Sequence, residues 1–465
     1  MQDFLEGFLD ANKAVNGFVW GPVMLVVLVG TGVYLSVRTG FFQVRRFGFA
    51  MRNTIGRVLT RRSRQADSEN ISGFQAVSTA LASTVGTGNV VGVATAISLG
   101  GPGAVFWMWI SAFFGMMTKY GEIVLALKYR EVNAEGRYVG GPMYYIANGL
   151  KQPWLAYLFA IFATLATFGI GNMTQANSIA GAVESSFGVD RLITGIVLVV
   201  LTAVVILGGI KSIARVTEKL VPFMAVFFIA MSIVLLVLNA SELIPSLVLI
   251  VEAAFNPSSA LGGAAGYTIA NAIRMGIARG VFSNEAGLGS APIAHAAANT
   301  REPVEQGLWG IFEVFVDTIV ICTMTALVIV TTGVWRSEHE GPALTIAAFN
   351  HGLPGTAGGM ALTVGLAMFA YSTILGWSYY GEKSLEFLFR RTSQVKTAIW
   401  IYRVVFVAAV LAGSVGSLKV VWDIADTLNG LMAIPNLIGV LLLSGVVIRE
   451  TKSYLQRHAA GEIED

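Results

Sequence analysis

The sequence predicts an all-α polytopic membrane protein: eleven transmembrane helices, in which one extra N-terminal helix precedes two five-helix halves of opposite topology. Three observations predict it. Of 465 residues, 55% are hydrophobic and 13% charged, against roughly 25% charged in a soluble domain. Apolar runs of about twenty residues, the length that crosses a hydrocarbon core, recur eleven times along the chain. With the first run set aside, ten remain and divide as five and five. Because five is odd, the halves enter the membrane from opposite sides, which is the condition for an inverted repeat.

The runs fall at 18–37, 73–99, 102–127, 154–182, 191–209, 220–239, 266–296, 307–333, 358–380, 397–413 and 421–448. Asp3, Glu6 and Asp10 precede the first, and no small-residue cleavage site follows it, which disfavours a removable signal peptide. The expected organisation is an extra helix with a basic segment at 1–72, a first repeat at 73–239, a second at 240–449 with an external linker at 240–265, and a tail at 450–465. Between Arg38 and Arg64 stand eight arginines (Arg38, Arg45, Arg46, Arg52, Arg57, Arg61, Arg62 and Arg64) and no acid. By the positive-inside rule that segment is cytoplasmic, resting on anionic lipid. Alternation then puts the N-terminus outside and the C-terminus inside, in a cell (plasma or inner) membrane.

Several chemistries are disfavoured. The net charge of +3 lies in short loops, so no nucleic-acid surface is indicated. Cys322 is the single cysteine and forms no internal disulfide. The four histidines lack metal-ligand spacing. No phosphate-binding Gly-Lys-Ser/Thr motif and no Ser/His/Asp set is evident, so the chain does not read as an enzyme. Oligomeric state is beyond the sequence.

The candidate chemistry sits at mid-depth. In Ser78-Thr-Ala-Leu-Ala-Ser-Thr-Val-Gly-Thr-Gly-Asn89, Gly86, Gly88 and Gly92 weaken the helix where hydroxyls and an amide gather. An unwound turn there exposes backbone groups, which persist in a bilayer only when buried in protein or lining a polar cavity. The N–H groups of Thr87, Gly88 and Asn89 would form the positive end of the outer half-helix, suited to a carboxylate. The carbonyls of Ala82 and Val85 would end the inner half and suit a small cation. In Gly169-Ile-Gly-Asn-Met-Thr-Gln-Ala-Asn-Ser178, Gln175 can donate and accept toward an amino-acid head group, and Asn172 beside it would widen a polar pocket. In Phe369-Ala-Tyr-Ser-Thr-Ile-Leu-Gly-Trp-Ser-Tyr379, Ser372 and Thr373 offer hard oxygens of the kind sodium prefers, with Trp377 one turn beyond on the same face. The bland roles are back-bonding hydroxyls, close-packing glycines and an anchoring indole.

The seventh run is the most polar, with Arg274, Arg279 and Glu285 in one stretch. Charges at mid-bilayer are costly and should face the bundle interior. Its centre, near Gly276 to Gly280, is a second candidate break, and Arg279 and Glu285 are expected to pair with each other or with caps. Gly287-Leu-Gly-Ser290 in this run resembles Gly86-Thr-Gly-Asn89 in the first half. Asp317, Glu313 and Glu122 are candidate proton carriers, or partners of Lys119 or an arginine.

At these residues the chain resembles the alanine or glycine:cation symporters, also called sodium:alanine symporters. The likeness rests on the stretch from Ser78 to Asn89, Gly140-Gly-Pro-Met-Tyr-Tyr145, Gly171-Asn-Met-Thr-Gln-Ala-Asn177, the stretch from Ala278 to Pro292 with its Ser-Asn-Glu-Ala-Gly segment, and Ser372-Thr-Ile-Leu-Gly-Trp377. The resemblance implies a leucine-transporter-type fold and sodium-coupled uptake of a small neutral amino acid such as alanine or glycine. It implies that Thr87 and Gly88 hold the substrate carboxylate. Gln175, Ile277, Thr373 and Trp377 line the pocket, with Gly276 adjoining. Carbonyls of Ala82 and Val85 with the hydroxyls of Ser372 and Thr373 hold Na+. Glutamine as substrate and proton coupling through Asp317, Glu122 or Glu285 stay open as alternatives, and a channel or an intramembrane enzyme is the rival of a different class.

Overall fold

The computed structural model describes residues 2–59, 70–256, 268–339, 341–353, 355–416 and 419–463. Arg61, Arg62, Arg64 and residues 257–265 of the expected linker lie outside the described residues. Helices dominate, and a two-residue antiparallel ladder, Glu131–Val132 with Tyr138–Val139, is the one sheet among the described residues.

The helices that position the site are α1 (Gln2–Val19), α2 (Pro22–Arg38), α3 (Gly73–Thr84), α4 (Gly88–Gly100), α5 (Gly103–Lys128), α6 (Pro153–Phe187) and α7 (Arg191–Ile206). There follow α8 (Gly209–Leu238), α9 (Leu243–Phe255), α10 (Ile269–Asn284), α11 (Pro303–Thr331), α12 (Ala357–Phe389), α13 (Val395–Val415), α14 (Lys419–Leu442) and α15 (Ser444–Ala459). Among the described residues eight helices are long and apolar enough to cross a membrane, and nine if α3 and α4, bent by 47° at their break, form one span. The protein is thus a mostly helical polytopic membrane protein. Two expected runs look different in the structure. The run at 191–209 is a 16-residue helix, and the run at 266–296 is helical over α10 and again only at Pro292–His295.

Burial sorts the helices into an inner and an outer set. The apolar stretch of α5 is 78% buried, whereas those of α8 and α13 are 33% and 28% buried. Phe223, Val226, Trp400 and Val404 stand exposed on the outer pair, as side chains do where lipid replaces a protein neighbour. Around α5 the contacts are made by small residues. Gly276 of α10 lies on the Ala104 carbonyl and Trp107, Gly280 near Met108 and Ser111, and Gly310 of α11 on the backbone of Lys119 and Tyr120. Close backbone approach of this kind is how membrane helices gain packing without a hydrophobic drive between them.

That packing corrects the expected break near Gly276 to Gly280. Those glycines bring α10 against α5, and the helix runs unbroken through Asn284. The chain leaves it at Glu285, which adopts a left-handed φ of 58°, followed by Gly287 at 95° and Gly289 at 80°, values that glycine tolerates and other residues rarely do.

Candidate functional site

The first interruption is built locally. Ser72 starts α3 with a reciprocal capping box, its Oγ accepting from Gln75 N at 3.1 Å while Ser72 N donates to Gln75 Oε1 at 3.0 Å. The helix stops at Thr84, Val85 is extended, and α4 starts at Gly88. Asn89 folds back so that its Oδ1 accepts from Gly86 N at 2.9 Å, while its Nδ2 donates to Asp317 Oδ1 at 2.6 Å. One amide therefore caps the turn and ties it to α11. Gly86 sits against Thr373 Oγ1, and Gly88 against Ser283 and Phe282, so both approaches require the absence of a side chain.

Beneath the turn, oxygens converge from two helices. Ser372 Oγ and Thr373 Oγ1 of α12 each lie 3.1 Å from the Ala82 carbonyl, and Thr373 Oγ1 lies 3.5 Å from that of Val85. Both hydroxyls also bond back to Phe369 O, at 2.8 and 3.0 Å. Above it, Thr87 N donates to Gln175 Oε1 at 3.4 Å, Gln175 Nε2 donates to Ile170 O at 2.9 Å, and the buried Thr87 hydroxyl has no hydrogen-bond partner. Trp377 reaches across to the second interruption, its Nε1 donating to Glu285 Oε1 at 3.0 Å. Ser290 Oγ donates to Glu285 Oε2 at 2.6 Å.

These groups surround one central void, lined in part by Thr87, Gly88, Gln175, Phe282, Glu285 and Trp377. It offers about 10 Å³ to water, room for about one molecule. A second cavity of about 640 Å³ shares Thr87 and Phe282 with it and extends past Thr95, Ser98 and Asn177. Phe282, stacked on Trp422 at 6.4 Å, is therefore the partition between the two.

Of the residues singled out in the sequence, Ala82, Val85, Thr87, Gly88, Gln175, Ser372, Thr373 and Trp377 come together here. Asn89 stands behind the turn, facing Asp317. Asn172 turns to α13, its Nδ2 donating to Phe406 O at 2.7 Å. Gly276 packs on α5, and neither it nor Ile277 lines the void. The expected pairing of Arg279 with Glu285 is also corrected: Arg279 lies 3.9 Å from Asp426 and over the Phe282 ring. Sequence reasoning missed Glu285 as a wall of the void, together with Phe282, Ser83 and Thr84. The signal for Glu285 was the glycine pair at Gly287 and Gly289, which repeats the pair at Gly86 and Gly88.

Comparison with known proteins agrees with this architecture. The profile of the sodium:alanine symporter family matches residues 5–465. The sodium/alanine symporter AgcS of Methanococcus maripaludis is 51% identical over 96% of this chain and 97% of its own. The probable sodium/glutamine symporter GlnT of Bacillus subtilis is 38% identical over 99% of this chain and 93% of its own. Among solved structures, MhsT in complex with L-phenylalanine superposes with a TM-score of 0.51 at 16% identity, covering 82% of this chain and 98% of that one, a likeness of fold. The chain belongs to the sodium:alanine symporter family.

Proposed function

We propose that the protein is a sodium-coupled symporter that imports a small neutral amino acid, alanine or glycine, by alternating access. The observation that carries this reading is the meeting of Ala82 O, Val85 O, Ser372 Oγ and Thr373 Oγ1 directly beneath the N-terminus of α4. Hard oxygens at a helix C-terminus suit a small cation, and free N–H groups at a helix N-terminus suit a carboxylate. Both poles belong to one interrupted span, an arrangement that transporters use at mid-membrane.

Sodium at the four oxygens would turn the Ser372 and Thr373 hydroxyls from donors on Ala82 O into ligands, tying α3 to α12. The carboxylate would then meet the N–H groups of Thr87 and Gly88, displacing Gln175 Oε1 from Thr87 N. The ammonium would face Glu285, the one carboxylate lining the void among the described residues. The void holds about one water, so substrate entry requires Phe282 and its neighbours to yield, and alanine and glycine ask for the least widening. Coupling follows only if sodium and substrate each bind one state of the transporter better than the other. In the same reading the eleven runs form the extra helix plus a five-and-five inverted repeat, with the N-terminus outside and the C-terminus in the cytoplasm.

Accumulation of labelled alanine in proteoliposomes tests this. An inward sodium gradient should drive uptake above equilibrium, and a pH gradient without sodium should not. Uptake driven by protons alone would select proton coupling through Asp317, Glu122 or Glu285 instead, and uptake indifferent to both gradients would sink the symport reading.

A further inference from the structure

A second interrupted helix end lies beside the first, and it is already filled. The last carbonyls of α10 form the negative pole of that helix, as those of α3 do for its own. At the α3 pole the four oxygens described above face one another, and among the described residues no cationic side chain is bonded to them. At the α10 pole, Lys119 Nζ donates to Asn284 O at 2.7 Å. The same nitrogen lies 3.4 Å from Thr84 Oγ1, at the last residue of α3, and 3.2 Å from Glu313 Oε2. Lys119 is fully buried, and two hydrogen bonds together with the ion pair to Glu313 hold its ammonium at the place a bound cation would take.

The surrounding groups keep it there. Glu313 Oε1 is 2.9 Å from His295 Nε2, and His295 Nδ1 is 2.8 Å from Gln306 Nε2, so the counter-charge is fixed from α11 and from the segment after the second interruption. Both oxygens of the nearby carboxylate Asp317 are already engaged by side chains of the protein. Its Oδ1 accepts from Asn89 at 2.6 Å, and its Oδ2 accepts from Thr318 at 2.7 Å and Ser283 at 2.9 Å.

We infer that Lys119 is a built-in cation which occupies the C-terminal pole of α10 and joins it to α3, leaving a single position for a mobile ion, so that each amino acid moves with one sodium. This rests on the symport reading above. Lys119 is a positioning residue: it acts on the void through Thr84 and through Asn284, whose neighbour Glu285 lines it. The ammonium fixes the spacing of the two interrupted spans whether or not sodium is bound.

The test is the static-head ratio in proteoliposomes, with the membrane potential clamped to zero by valinomycin and equal potassium. For one sodium per alanine a tenfold sodium gradient holds a tenfold alanine gradient. The expected ratio is therefore about ten, and a ratio near one hundred overturns the inference while leaving symport standing. A ratio of one under every sodium gradient overturns symport itself. The double variant Lys119→Gln with Glu313→Gln removes the fixed cation together with the counter-charge it is paired with. Its Asn284 carbonyl becomes free, and the ratio should climb above ten as a second sodium enters. A double variant that holds the same ratio at the natural rate of uptake would overturn the role of Lys119, since a spacer of purely structural value would leave the exponent unchanged. Lys119→Arg, which keeps the charge, should hold the ratio at ten.

Discussion

At the scale of single residues, the site depends on hydroxyls and amides that hold two partners at once. Thr373 Oγ1 touches Ala82 O, Val85 O and Phe369 O, so Thr373→Val removes one of the four oxygens proposed to hold sodium while keeping the branched shape. Sodium half-saturation of alanine uptake should rise at least tenfold, about 1.4 kcal/mol, with a smaller change in the alanine KM at saturating sodium. An unchanged sodium dependence would place the ion elsewhere. Asn89 carries a different load. Its amide caps Gly86 N and also bonds Asp317, both buried, so Asn89→Ala leaves a donor and a carboxylate short of a partner and should cost about 1–3 kcal/mol. A lowered thermal midpoint in detergent with the sodium dependence preserved is the expected signature. The sequence pointed to Asn89 as a substrate-facing N–H because it follows the glycines. Only the fold reveals that its side chain faces backward to α11, because that contact spans 228 positions.

At the scale of elements, two interruptions with similar sequences had unequal legibility. The break between α3 and α4 could be read because Gly86 and Gly88 coincide with hydroxyls in an otherwise apolar run. The break after α10 could not be placed by glycine alone, because glycine serves two ends in membrane helices: close approach and left-handed backbone. Gly276 and Gly280 serve the first, Gly287 and Gly289 the second. A helix run gives the same spacing signal in both cases, so only the structure places the break, at the glycines that repeat the first motif. Gly276→Val separates the two roles by experiment. Its side chain would collide with the Ala104 carbonyl and Trp107 Cβ, and overpacking of this kind costs about 1–3 kcal/mol. The variant should be destabilised throughout α5 and α10, seen as a lower thermal midpoint and faster proteolysis. If Gly276 bordered the substrate, the variant would instead keep its stability and shift the alanine KM.

For the whole molecule, the loops expected on the cytoplasmic side meet one another at one end of the bundle. Arg57 pairs with Glu305, Arg457 with Glu302 at 2.8 Å, Lys128 with Glu450 at 2.6 Å and Arg390 with Glu131 at 3.6 Å. The 640 Å³ vestibule instead borders Leu99, Arg191 and Gly341, residues next to loops that the same alternation assigns outside. Exposed ion pairs of this sort contribute little stability individually, but four of them linking separate loops brace that end against opening. The vestibule end has the thinner barrier, the Phe282 ring on Trp422. The expected consequence is an outward-open path that stops at Phe282. Ser178→Cys tests it, because Ser178 lines the vestibule and the native Cys322 is buried, so the background reaction is low. A membrane-impermeant thiol reagent added to intact cells should modify Cys at that position, and sodium with alanine together should slow the reaction by drawing the vestibule closed. Labelling only from the cytoplasmic face of inverted vesicles would reverse the assigned orientation. Labelling from outside that ignores both ligands would mean that binding in the central void does not reach the gate.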